Sequence, residues 1–274
     1  MAATRWQLSG FGDEIDADPI VQVSVLQSLG ACHIEVRSAW GTNVVDFTDD
    51  QLDTLRHILA DRTMAVSAIA SPIGKVDVAL PVEHEVARLE RVISAAHALG
   101  APFIRVFSFF GAYGSRDAVL LRMRALTDLA EREGVVLLHE NEKHVYGDVP
   151  SRVLDIVESV GSDALRVAWD SANFVQVGVK PFTDAYTLLR PHLAYLQVKD
   201  ARAATGEVVP AGDGDGELQE TLAALRDDGF AGFASLEPHL AETGALGGFS
   251  GPHAFGRAAR AFRHLTDELG VELA

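Results

Sequence analysis

Eight short strand-like runs alternate with eight longer amphipathic segments along the whole 274-residue chain, a rhythm that few folds can absorb. The runs begin near Trp6 (WQLSGFG), His33 (HIEVR), Met64 (MAVSAIAS), Phe103 (FIRVFSF), Val135 (VVLLHEN), Leu165 (LRVAWD), Leu193 (LAYLQVKD) and Gly232 (GFASLEP). Their starts recur about every 32 residues, the length of one βα unit. Helices are expected from Asp49 onward and at residues 17–29, 82–98, 116–133, 150–160, 181–190, 217–228 and 252–269. Asp49-Asp50-Gln51-Leu52 opens one helix with acids at its positive end, and Ala98-Leu99-Gly100-Ala101-Pro102 closes another with Gly followed by Pro. Strand then helix, eight times, implies parallel strands joined by crossovers that close into a (β/α)8 barrel of the α/β class. An open doubly wound sheet would not require such even spacing. No Pro-, Gly- or Ser-rich linker divides the sequence, so residues 1–274 are read as a single domain.

Composition narrows the function. Lys and Arg number 23 against 39 Asp and Glu, a formal charge of −16 at pH 7, which repels phosphate backbones and argues against nucleic acid as a partner. With 48% hydrophobic residues the chain has the makings of a large core. Cys32 is the only cysteine, so no intrachain disulfide forms and a reducing compartment is the natural setting. The sequence lacks a signal-type apolar stretch near its start and any run of 18 apolar residues. The expectation is a cytoplasmic protein without membrane association. Self-association into a homo-oligomer is compatible with the sequence.

In a (β/α)8 barrel, chemistry sits at the carboxyl ends of the strands. Period-2 alternation puts Val136, Leu138, Glu140 and Glu142 on one face of VVLLHENE, with His139 and Asn141 on the other. In LRVAWD the apolar set Leu165, Val167 and Trp169 faces helices, leaving Arg166, Ala168 and Asp170 to point inward. In LAYLQVKD the inward set is Tyr195, Gln197 and Lys199, and in GFASLEP it is Phe233, Ser235 and Glu237. Four successive strands thus end in Glu140, Asp170, Gln197 and Glu237 around one volume. Three carboxylates without compensation repel one another, and a bound divalent cation is the simplest remedy. Carboxylate and amide oxygens suit Mn2+ or Mg2+ best, and Co2+ or Zn2+ also meet the donor set.

Through LLHENEKHVYGD, AWDSANFVQVGVKPF, YLQVKDA and SLEPHL the sequence resembles the xylose-isomerase-like TIM barrels, the superfamily of sugar phosphate isomerases and epimerases. The resemblance covers nearly the whole chain. It implies one divalent metal held by Glu140, Asp170, Gln197 and Glu237, with Gln197 standing where the family commonly has His. It also implies a small polyhydroxylated carbonyl substrate, and proton abstraction next to the carbonyl through a metal-stabilised enediolate. Glu140 and Glu237 are the expected acid–base pair. Glu35, Glu142, Asn173, Lys199 and His239 are expected to bind substrate, Lys199 by stabilising oxyanion charge or holding a substrate carboxylate, with a structural pair to a barrel carboxylate as the equal alternative. For Glu35 an internal pair with Arg37 competes with that role.

Two glycine-rich segments carry weaker readings. Gly212-Asp213-Gly214-Asp215-Gly216-Glu217 lacks the EF-hand spacing and reads as a mobile turn. Phe109-Phe110-Gly111-Ala112-Tyr113-Gly114 reads as a lid or as rim packing rather than a phosphate loop. The leading reading is a metal-dependent sugar or sugar phosphate isomerase/epimerase. A dehydratase of the inosose or dehydroshikimate type and a noncatalytic metabolite-binding barrel are the alternatives. The endonuclease IV branch needs a His-rich zinc cluster and a basic DNA face, neither of which the sequence carries.

Overall fold

A computed structural model describes residues 4–244 and 247–274. Eight strands form the barrel: β1 (Thr4–Gly10), β2 (His33–Val36), β3 (Ala65–Ile69), β4 (Phe103–Val106), β5 (Val136–Glu140), β6 (Leu165–Asp170), β7 (Leu193–Val198) and β8 (Phe233–Leu236). A ninth, β9 (Val271–Leu273), pairs parallel with the first residues of β1 on the side away from β8. The expected eight-strand order is realised, each strand parallel to its sequence neighbour from β2 through β8. β1 pairs with β8, and the ring closes between β1 and β2 through a bridge of Phe11 to Glu35.

Helices α1 (Pro19–Ser28), α2 (Asp49–Asp61), α3 (Val82–Leu99), α4 (Arg116–Glu133) and α5 (Pro150–Val160) cover the first five units. Their ends follow local rules. Thr48 and Gln51 form a reciprocal capping box on α2, and Gly100 closes α3 at φ 68°, the left-handed conformation a glycine adopts without steric cost. A short α6 (Ser171–Val175) follows β6, and α7 (Leu218–Asp227) and α8 (Gly251–Leu269) complete the coat. The helix expected at 181–190 is instead a wide π-type turn, Pro181–Tyr186, running into one α-helical turn at Thr187–Leu189. Pro191 has no N–H to donate to Thr187 O, so the α-helical ladder stops at Leu189.

The strand faces fall as the alternation requires. Leu165, Val167 and Trp169 join the large core between sheet and helices. Ala68, Leu138, Ala168 and Tyr195 fill the barrel interior with Phe103 and Phe233 against them, the large-and-small layering of a packed barrel. Arg166 keeps the inward phase of β6, in register with Leu138, but at the amino end of the strand its guanidinium donates to Pro191 O just before β7. Above the apolar layer runs a polar chain. Ser9 Oγ lies 2.6 Å from Ser67 Oγ, Ser67 Oγ lies 2.8 Å from Tyr195 Oη, and Tyr195 donates to Glu35 at 2.9 Å.

The glycine-rich segment 212–217 is tied down rather than free. The N–H groups of Gly212, Gly214 and Gly216 donate to the Asp200 carboxylate at 2.9, 3.1 and 2.8 Å, joined by Ala201 N–H at 2.8 Å. A side chain at Gly214 or Gly216 would overlap that carboxylate, which is why small residues recur at every second position. Replacing Asp200 by Ala strands four backbone donors and is expected to cost about 3 kcal/mol. Urea unfolding reads this directly; an unmoved midpoint would show that the loop is held by other contacts.

Candidate active site

Each expected metal-site residue reaches the mouth by register. β6 and β7 place Asp170 beside Gln197, β7 and β8 place Gln197 beside Ser235, and Glu140 ends β5 opposite Ala168. Glu237 follows β8 directly, its N–H donating to Val198 O at 3.2 Å. Glu140, Asp170, Gln197 and Glu237 are all buried. One oxygen from each of Glu140, Asp170 and Glu237 lies within 4.8 Å of the others.

Two cations are threaded among these acids. Lys199 Nζ sits 2.7 Å from Asp170 Oδ2 and 2.9 Å from Glu237 Oε2. Arg105 Nη1 donates to Glu140 Oε2 at 2.9 Å and to Glu237 Oε1 at 3.2 Å. Burial pushes the carboxyls of Glu140 and Asp170 up, that of Asp170 to about 8, with the Arg105 and Lys199 charges opposing. Burial acts on Glu237 too and is the largest single influence, but Lys199, His239 and Arg105 together outweigh it and hold the carboxyl well below its usual range. Lys199 itself is raised: its neighbours Asp170 and Glu237 overcome the desolvation of the ammonium.

The other expected substrate residues come to the same mouth in different ways. Asn173, on α6, donates through Nδ2 to Glu140 Oε1 at 3.0 Å, so it orients that carboxylate. Glu142 is partly buried and paired with Lys75 at 3.1 Å; burial raises its carboxyl, but Lys75 and Lys199 together outweigh it and lower the carboxyl. Glu35 does not pair with Arg37. It accepts from Gln197 Nε2 at 3.0 Å and from Tyr195, and burial pushes it up to about 7. Arg37 turns instead to Asp13 at 2.8 Å and approaches Glu237 at 3.5 Å. His239 leaves the extended phase of β8 and takes φ 46°, yet its Nε2 still lies 3.4 Å from Glu237 and 3.1 Å from Glu14. Burial lowers its imidazole to about 4, so it is neutral at pH 7.

Arg105 and Glu14 are the site residues the sequence did not disclose. Arg105 carried a signal, a lone charge in the apolar run FIRVF with Ile104 and Val106 facing outward. Glu14 carried none, because it lies in the turn after β1, whose geometry no periodicity specifies. It accepts from His239 N–H at 2.8 Å and Ser250 Oγ at 2.7 Å, and burial raises it to about 8. Glu14, Glu237 and His239 also approach within 4.8 Å of one another. The 109–114 segment divides: Phe109 is buried, whereas Phe110 and Tyr113 are exposed on the rim.

The donor set fits a divalent ion. Three carboxylate oxygens converge, and Gln197 Oε1 is buried without a hydrogen-bond partner while its Nε2 is engaged by Glu35. An orphaned amide oxygen beside hard carboxylate donors is what an oxygen-seeking cation requires.

With fold and site described, the family follows. Residues 23–268 match the family model of the xylose isomerase-like TIM barrel, and the chain belongs to that family. A 2-epi-5-epi-valiolone 7-phosphate 2-epimerase from Actinoplanes sp. is 37% identical over 145 residues, half of this chain. The match spans 51% of that relative's length. Among solved structures, a D-tagatose 3-epimerase-like protein superposes with a TM-score of 0.78 at 15% identity, covering 96% of this chain and 98% of its own. A xylose isomerase-like barrel from Mycobacterium smegmatis in complex with magnesium gives 0.72 at 18% identity, covering 97% and 96%. No helix among the described residues is long and apolar enough to cross a membrane.

His139 gives the region a pH signature. It lies on the outward face of β5, fully buried, with neither ring nitrogen hydrogen-bonded, and burial lowers it to about 4. The unfolded chain binds this proton from pH 6.5 downward and the folded chain only near 4. Stability therefore falls as pH drops through that window, by about 3 kcal/mol from this group alone. A His139→Leu variant is expected to lose that part of the slope in chemical denaturation between pH 7 and 4; an unchanged slope would assign it to other groups.

Proposed function

We propose that the protein is a divalent-metal-dependent epimerase or isomerase of a sugar phosphate or a related polyhydroxylated carbonyl compound. The reading also takes the whole chain as one domain at work in a reducing cytoplasm. The observation that carries it is the convergence of Glu140, Asp170 and Glu237 at the barrel mouth, with Gln197, whose amide oxygen has no hydrogen-bond partner, in register beside Asp170. The relative named as a 7-phosphate 2-epimerase supports the same chemistry and the same kind of substrate.

Glu140, Asp170, Gln197 and Glu237 would hold the ion, with Mn2+ or Mg2+ favoured by the all-oxygen donor set. When bound, the ion supplies positive charge that polarises the substrate carbonyl and acidifies the neighbouring C–H. The chain's own residues then move the proton. Glu237, kept ionised beside Lys199, accepts the proton from carbon, and the electron pair passes toward the carbonyl oxygen. Glu140, whose proton affinity burial raises against the opposing Arg105 charge, is the partner that gives a proton to the opposite face of that carbon. Environments that push two carboxyls apart in this way sort them into base and acid. Asn173 fixes Glu140 by a hydrogen bond, so the donor does not swing when the proton leaves. Lys199 offers its ammonium to the oxygen on which negative charge grows. Glu142 and His239 supply hydroxyl-binding groups at the mouth, and Glu35, fully buried beneath it, holds the Gln197 amide.

Both carboxyls exchange protons with water between turnovers, so turnover in D2O should place deuterium on the substrate carbon. Glu140→Gln and Glu237→Gln are each expected to lower that exchange by at least about a hundredfold, within the range general acid–base groups contribute, with the fold unchanged by circular dichroism. Mass spectrometry of the product separates the chemistries. Conserved mass marks epimerisation, whereas loss of water marks a dehydratase. Binding without any exchange marks a noncatalytic barrel, and exchange surviving in either variant removes that residue from the acid–base role.

A further inference from the structure

A pocket of about 170 Å³ opens beside the acidic cluster, lined by the loops and helix that follow β2, β3 and β4. Its charge is opposite to that of the cluster. Arg37, Lys75, Arg88 and Arg105 all line it, and Asp46, exposed at the rim, is the only acid among its lining residues. Four cations around one hollow are unexpected in a chain of net charge −16, because elsewhere the excess is acidic.

Each of the four already has an acidic partner. Arg37 is held by Asp13, Lys75 by Glu142, Arg88 by Glu85 at 2.6 Å, and Arg105 by Glu140 and Glu237. Those partners fix the side chains without exhausting their donors. Arg105 Nε is buried and makes no hydrogen bond, and the buried Arg37 Nη1 has only the Glu237 carboxylate at 3.5 Å. Buried guanidinium N–H groups without a hydrogen bond are costly, and an anion bound beside these two arginines would give them acceptors. Lys75 is further steadied over the Phe107 ring at 4.2 Å. Guanidinium forks match the oxygens of a phosphoryl group in pairs, which a neutral hydroxyl cannot reproduce.

We propose that this pocket is a subsite for the phosphoryl group of the substrate, and that the enzyme acts on phosphate esters in preference to free sugars. The proposal rests on the epimerase or isomerase reading and narrows its substrate class. Arg105 joins the two regions, because it lines the pocket and also binds Glu140 and Glu237. A phosphate there is one guanidinium away from the acid–base pair, so binding energy from a non-reacting group can position the reacting carbon.

The test measures binding to manganese-loaded protein by calorimetry, with D-fructose 6-phosphate, D-fructose, inorganic phosphate and D-gluconate as probes. The phosphate ester is expected to bind at least about tenfold tighter than D-fructose and to compete with inorganic phosphate. Arg88→Met and Lys75→Met should each weaken inorganic phosphate about tenfold. Asp46→Asn, a rim change that leaves every buried pair intact, should tighten it about threefold. Equal binding of ester and free sugar would overturn the proposal, as would phosphate binding that needs manganese but ignores all three substitutions. Gluconate binding as tightly as the ester, with the same sensitivity, would reassign the pocket to carboxylates. Phosphate binding that responds to the substitutions while carbon-bound hydrogen never exchanges would retain the subsite and remove only the epimerase or isomerase reading.

Discussion

Three carboxylates cannot share a dry barrel mouth unless positive charge stands among them, and the arrangement around Glu140, Asp170 and Glu237 follows from that requirement. Lys199 bridges Asp170 and Glu237, and Arg105 bridges Glu140 and Glu237. These contacts stitch together β4, β5, β6 and the ends of β7 and β8, strands far apart in sequence. Removing one member of such a buried network leaves an uncompensated charge and costs more than the pair itself contributes. The polar chain Ser9, Ser67, Tyr195, Glu35 and Gln197 continues the same logic downward, satisfying buried groups until the apolar layer of Ala68, Leu138 and Ala168 takes over.

Charge is also sorted within the mouth. Glu237 is surrounded by Arg37, Arg105, Lys199 and a neutral His239, whereas Asp170 has one cation and the cap of α6. The result is a set of carboxyls at different proton affinities within a few ångströms, which a proton-transfer site needs and a purely structural ion cluster does not. The basic pocket on the β2–β4 side adds a second polarity: acids where carbon chemistry would occur, cations where an anionic handle would be gripped.

What the sequence disclosed and what it withheld divide along a physical line. Alternation along LRVAWD is a local property of extended chain, so Trp169 outward and Asp170 inward could be read from residue types alone. The meeting of Glu140, Asp170 and Glu237, with Gln197 in register beside Asp170, followed once closure into a barrel was assumed. The turn at Pro181–Tyr186, the left-handed His239 and the wrapping of Gly212, Gly214 and Gly216 around Asp200 depend on contacts made only after folding. Glu35 illustrates the limit well. Its inward position was legible, but its partners, Tyr195 and Gln197, lie 160 and 162 residues away, and only the register of β7 decides for them against nearby Arg37.

The central claim is that these acids are gathered for a cation. Anomalous diffraction from manganese-soaked crystals tests it most directly. The account predicts one strong peak within bonding distance of Glu140, Asp170, Gln197 Oε1 and Glu237, with the Lys199 ammonium moved off Asp170. A mouth without a peak at saturating manganese, with Lys199 still bridging Asp170 and Glu237, would contradict it.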